Sequence, residues 1–117
     1  MIKEFIEATM EKINTIKQAY YEEAPTSAIF PYLVVPTLNI IPLNAGYSTL
    51  VDIEIHCDSN SEIDIEDLLD TLKNELEGYT YNSKEVSFYF GFDSVYSGKA
   101  TDQDLTYRKI TFEARIF

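Results

Sequence analysis

Residues 47–57 read Tyr47-Ser48-Thr49-Leu50-Val51-Asp52-Ile53-Glu54-Ile55-His56-Cys57. Residues 62–77 read Glu62-Ile63-Asp64-Ile65-Glu66-Asp67-Leu68-Leu69-Asp70-Thr71-Leu72-Lys73-Asn74-Glu75-Leu76-Glu77. In the first stretch Tyr47, Thr49, Val51, Ile53, Ile55 and Cys57 alternate with the rest, a period of two that marks a half-buried strand. In the second, Ile65, Leu68, Leu69, Leu72 and Leu76 form the stripe of an amphipathic helix. A strand feeding a helix sets the architecture around it.

Outward from this pair, Ile2, Phe5, Ile6, Thr9, Met10, Ile13, Ile16 and Tyr20 keep helical spacing and predict a first helix over residues 2–22, stopped by Pro25. All four prolines fall between Pro25 and Pro42, which suits an edge or interrupted strand over residues 28–35 and an extended piece over 37–42. Asn44-Ala45-Gly46 reads as a turn. Ser61 with Asp64 opens the second helix over about 62–77, and Gly78 suits its left-handed end. Val86, Phe88, Phe90 and Phe92 alternate as a strand, residues 93–104 read as a polar loop, and Ile110, Phe112, Ala114 and Ile116 line a last strand. The expectation is a single α+β domain over 1–117. It has a mainly antiparallel sheet of about four strands with two helices packed on it, in the order α-β-(β)-β-α-β-β.

The 117 residues carry 20 acids against nine Lys and Arg, a net charge of −11. Binding of DNA or anionic lipid runs on basic side chains, so neither partner is expected. Cys57 stands alone, which excludes an internal disulfide and suits a reducing compartment. The start, Met1-Ile2-Lys3-Glu4, lacks the uninterrupted apolar core of a signal peptide, and no stretch is long enough to span a membrane.

Candidate chemistry fails when taken residue by residue. Asp58, Asn60, Glu62 and Asp64 alternate like the opening of a calcium loop, but Ile63 holds the glycine position and Leu69 the bidentate glutamate position. A polar turn leading into a capped helix explains the same residues. Gly98-Lys99-Ala100 lacks the glycine spacing and the following Ser or Thr of a phosphate loop. His56 and Cys57 are neighbours on a strand and point to opposite faces, so they form no thiolate–imidazole pair. No catalytic residue, metal or cofactor is expected.

Two features point outward instead. Ten of the 20 acids lie between Asp52 and Glu77, and Glu62, Glu66, Asp67 and Asp70 crowd the second helix. Charge runs are ordinarily solvated faces, and the sharper reading is an acidic surface toward a DNA path or a basic partner. Tyr79, Tyr81, Phe88, Tyr89, Phe90, Phe92 and Tyr96 are dense enough to serve both a core and a protein–protein contact.

The plan resembles the tail terminator, or tail completion, proteins of long-tailed bacteriophages and prophages. The resemblance covers nearly the whole chain. Ile29-Phe30-Pro31-Tyr32-Leu33-Val34-Val35 is similar to the family's first strand. Ser48-Thr49-Leu50-Val51-Asp52-Ile53-Glu54-Ile55-His56 is similar to its central strand, and Asp67-Leu68-Leu69-Asp70-Thr71-Leu72 to its helix. Arg108-Lys109-Ile110-Thr111-Phe112-Glu113-Ala114-Arg115-Ile116-Phe117 is similar to its last strand. The resemblance implies a structural virion protein without catalysis, made in the host cytoplasm. It implies a ring, commonly of six copies, that caps the head-proximal end of the tail tube and allows head joining. The partners implied are further copies of the chain, the tail tube protein and a head–tail connector. The alternatives are another neck or head–tail adaptor, a small oligomerising α+β binding domain or, least favoured, an enzyme with a carboxylate site. Interface residues are expected at Asn44, Ala45 and Gly46 and at Phe92, Asp93, Tyr96, Gly98 and Lys99, because long polar loops on a compact scaffold commonly carry function.

Overall fold

A computed structural model of the chain describes residues 1–57, 65–99 and 106–117. Its elements are α1 (Ile2–Asn14), β1 (Ala19–Tyr21), β2 (Tyr32–Val35), β3 (Ile41–Pro42), β4 (Tyr47–Cys57), α2 (Ile65–Leu76), β5 (Thr80–Asn82), β6 (Ser87–Lys99) and β7 (Thr106–Ile116). The strands form one sheet in the order β1-β2-β4-β7-β6-β5, with β3 on the flank of β4. Every pairing is antiparallel except β1 with β2. The α+β class and the mainly antiparallel sheet agree with the sequence reading, while the strand count rises from about four to seven. Among the described residues, no helix is long and apolar enough to cross a membrane.

The alternation in β4 does what it predicts. Thr49, Val51, Ile53, Ile55 and Cys57 are buried, and Ser48, Leu50, Asp52, Glu54 and His56 lie on the opposite face. The buried row meets Ile110, Phe112, Ala114 and Ile116 of β7 and Phe88 and Phe90 of β6. Phe5, Ala8 and Ile13 of α1 and Ile65, Leu69, Leu72 and Leu76 of α2 close over this same face. Each Leu, Ile or Phe among them, fully buried, contributes about 1.5–3 kcal/mol of transfer free energy. Both helices therefore cover one face of the sheet, and among the described residues the other face has no helix on it.

Three expected boundaries are corrected. The first helix stops at Asn14 rather than continuing to residue 22. The Asn14 amide donates to the Met10 carbonyl at 2.9 Å, and its side-chain oxygen accepts the Ala19 N–H at 2.9 Å. Thr15 donates its hydroxyl to the Lys12 carbonyl at 2.6 Å. Short polar side chains thus supply local partners that end the helix. Ile16 still packs on the core past the end of the helix, but Tyr20 does not continue the stripe; it lies in β1, and its neighbour Tyr21 meets the core instead.

Residues 93–99 are not loop. β6 runs on to Lys99 and stays paired with β7. The register passes from Phe92↔Phe112 to Ser94↔Thr111, leaving Asp93 as an extra residue in a β-bulge. The bulge shifts the parity, so Phe92 and Val95 share a face three residues apart and the alternation is hidden in the sequence. Strand β2 is also shorter than expected, beginning at Tyr32. Ser61, and the Asp58, Asn60, Glu62 and Asp64 spacing, lie outside the described residues.

Strand β5 is tied to α1 by a polar contact. The Tyr81 hydroxyl donates to Glu4 Oε2 at 2.7 Å. Hydrogen bonds from Ser83 and Tyr81 hold the Glu4 carboxyl below its usual range, and the bond to Glu4 pushes the Tyr81 phenol up. A carboxyl with a lowered folded pKa contributes stability that is present above its unfolded value, about 4.3, and lost as pH falls through the folded one. Glu4→Gln is therefore expected to melt below the wild type at neutral pH. The gap should close in thermal melts taken from about pH 6 down to about pH 3. A gap that stays constant across that range would rule the charged contact out.

Candidate interaction surface

The helix-free face of the sheet is built in rows by strand register. Ile41, Ser48, Arg115 and Tyr89 form one row, and Leu50, Glu113 and Gly91 the next. Asp52, Thr111 and Ser94 follow, then Val34, Glu54, Lys109 and Tyr96. The expected acidic outer face is thus mixed. Asp52 accepts the Thr111 hydroxyl at 2.7 Å, Glu54 lies 3.2 Å from His56, and Lys109 and Arg115 interleave with the acids. His56 also stacks on Tyr32, with ring centroids 5.1 Å apart, and Tyr32 in turn stacks on Phe30. Cys57, on the other face, is sealed in the core at 1% exposure.

One end of this face is apolar. Leu50 is 54% exposed, Ile41 is exposed beside it, and Tyr89 stacks on Phe117 at 6.1 Å. Arg115 lies among them with its Nε buried and without a hydrogen-bond partner. This patch was not singled out in the sequence. Its one signal was Leu50, an apolar residue in the otherwise polar set of β4.

The other end carries the β6–β7 hairpin. Val95 and Tyr96 are 46% and 57% exposed although they point to opposite faces, so this stretch of β6 stands clear of the helical layer. Lys109 lies 5.9 Å above the Tyr96 ring. Phe92, expected at an interface, is half-buried instead. It packs edge-on against Phe112, and the Lys73 ammonium lies 4.7 Å from its ring centroid. Asp93 is exposed at the bulge, and Gly98 and Lys99 hold register positions opposite Tyr107 and Thr106.

The expected interface residues are not brought together. Asn44 and Ala45 are exposed in the turn before Tyr47, which pairs with Ile116. Across the sheet Phe92 stands level with Val51, Tyr96 with Glu54 and Lys99 with Cys57. At about 3.3 Å per residue these positions lie roughly 13, 23 and 33 Å along the strand from Tyr47. The acidic helix residues Glu66, Asp67 and Asp70 are exposed, and Glu66 pairs with Arg108 at 3.4 Å. Glu62 lies outside the described residues.

Between α1 and β5 is a shallow cleft of about 230 Å³ lined by Ala8, Glu11, Lys12, Thr15, Tyr79 and Tyr81. Lys12 crosses it to Glu75 at 3.2 Å and lies 5.1 Å from the Tyr79 ring centroid. The chain's own side chains answer the charge there. Among the described residues, no group of three His, Cys, Asp or Glu side chains is placed to hold a metal ion.

No protein-family model matches the chain, and no curated protein matches it by sequence. Among solved structures, a chain from the virion of a native gene transfer agent particle superposes with a TM-score of 0.67. The fold is similar to that of a virion chain. The match covers 86% of this chain and 78% of that one at 12% sequence identity, a likeness of fold.

Proposed function

We propose that this chain is a structural protein of a phage-like virion that caps the head-proximal end of the tail tube as a ring. The observation that carries this reading is the shared fold with a chain of a gene transfer agent virion over most of both lengths. It meets the resemblance of the strand and helix patterns to tail terminators. Capping is a binding task and needs no catalysis or cofactor. A ring requires two different patches on each copy, one to meet its neighbour on either side. The exposed hairpin stretch of β6 supplies one such patch. The apolar end around Leu50, Ile41 and Tyr89 offers a second surface, for the tube or a connector. A net charge of −11 keeps passing DNA from sticking.

The test is tube length. Added in excess to the polymerising tube protein of the same element, the chain is expected to shorten the tubes seen by electron microscopy. Deleting residues 97–101 should abolish that effect while the thermal melt stays cooperative. Tubes of unchanged length with the full chain present would sink the capping role. A chain that bound the isolated connector and ignored tubes would favour a head–tail adaptor.

A further inference from the structure

The geometry points to a continuous sheet running from copy to copy, joined where β1 of one copy pairs with β6 of the next. This deepens the ring reading above and rests on it. Among the described residues, no strand pairs with β1 on the side away from β2. On the side of β6 away from β7, none of the described strands pairs beyond Phe90, where β5 and Tyr79 leave off. These are opposite edges of one sheet.

The two edges lie at the same height. Tyr20 is the register partner of Val34, Val34 of Glu54, Glu54 of Lys109, and Lys109 of Tyr96. A copy rotated about an axis along the strands thus brings its Tyr96 level with Tyr20, with no axial slip. A joint without slip closes a ring, whereas one with slip winds a filament. Strand direction agrees. β1 runs with β2, and three antiparallel steps lead from β2 to β6, so β6 of a neighbour meets β1 antiparallel.

The unused backbone groups match as well. The Leu33 N–H donates to the Gln18 carbonyl and the Glu22 N–H to the Val35 carbonyl, so alternate residues Ala19 and Tyr21 turn their polar groups outward. Of these, the Ala19 N–H is taken by Asn14 and the Tyr21 carbonyl by the Glu23 N–H. Among the described residues, the Ala19 carbonyl and the Tyr21 N–H remain, flanking Tyr20. On β6, the Phe90 N–H donates to the Tyr79 carbonyl, away from β7. Carried past the bulge, the alternation turns the groups of Val95 and Ser97 outward, flanking Tyr96. Opposing Tyr20 to Tyr96 of the next copy lets the Ser97 N–H donate to the Ala19 carbonyl, and the Tyr21 N–H donate to the Val95 carbonyl. The two tyrosines form a cross-strand aromatic pair on one face.

Opposed residues at such a site have Cα atoms about 4.5 Å apart, within disulfide range. Within one copy, β1 and β6 are four strand spacings apart, about 19 Å, so the same cysteines cannot join internally. The full chain carrying both Tyr20→Cys and Tyr96→Cys, oxidised at high concentration, is expected to give a ladder of covalent multimers ending in one closed species. A mixture of the two single variants should stop at dimers. Adding Ser97→Pro removes the outward N–H and, among the described residues, no bond within the copy. It should leave the melt unchanged and slow cross-linking about tenfold. Absence of multimers from the double variant would overturn the joint, as would equal linking of Tyr20→Cys to Ser94→Cys. A closed covalent ring that left tube length unchanged would keep the joint and sink the capping role. Tubes shortened by a ring that does not cross-link would do the reverse.

Discussion

Replacing Phe88 by alanine is expected to cost about 3–5 kcal/mol, the largest loss available from a single side chain here. Phe88 is 2% exposed and stands where both layers meet. Its ring meets Phe5 of α1 edge-on at 4.8 Å and stacks on Tyr81 of β5 at 5.1 Å. Phe90 lies 5.6 Å away on the same strand, and Tyr79 6.3 Å away. Truncation removes the transfer free energy of the ring and leaves a cavity whose aromatic walls belong to three different elements and cannot all collapse inward. Denaturant titration at fixed pH measures the effect. A loss below about 1.5 kcal/mol would mean that the site repacks, against this account. Phe88→Leu, which keeps most of the volume, should lose less than half as much as Phe88→Ala.

The second large effect is expected at Gly46. Its φ is +78°, a left-handed conformation that L side chains rarely adopt. A Cβ there would also collide with the backbone carbonyl of Ile116, which cannot swing aside as a side chain could. The position is held by the Leu43 N–H donating to the Gly46 carbonyl at 2.9 Å, and by Tyr47 pairing with Ile116 immediately after. Gly46→Ala should therefore cost about 2–4 kcal/mol, through strain and forced separation of the β4 and β7 ends. Gly78 is the control. It has the same φ of +78°, but nothing lies within 4 Å of its added Cβ. Gly78→Ala should cost only the backbone term, about 1–2 kcal/mol. Equal losses at the two glycines, by thermal or denaturant melts, would contradict the collision at Ile116.

Strand β4 and helix α2 were legible because each holds a single period over its whole length and each buries one face. The end of α1 was not. Apolar spacing reports which residues meet the core, and Ile16 meets it from outside the helix, while the change to a strand at β1 puts Tyr21 rather than Tyr20 on the core face. Residues 93–99 read as a loop because Asp93 takes a bulge and shifts the parity, and because polar side chains do not prevent pairing when a long partner strand lies alongside. The proposed interface residues were legible only in part. Tyr96 stood out by its chemistry, but its level with Tyr20 depends on four pairings between strands far apart in sequence.

The sequence by itself determined the acidic charge, the lone buried cysteine, the failure of the calcium-like and phosphate-loop spacings, and the inner face of β4. These follow from composition and from periods that a segment carries within itself. Only the tertiary structure decided that both helices cover one face of the sheet, that among the described residues no further strand lies beside β1 or the far end of β6, and that the two stand level. Register and strand order are set by pairing between distant segments, and no local period encodes which edge faces which.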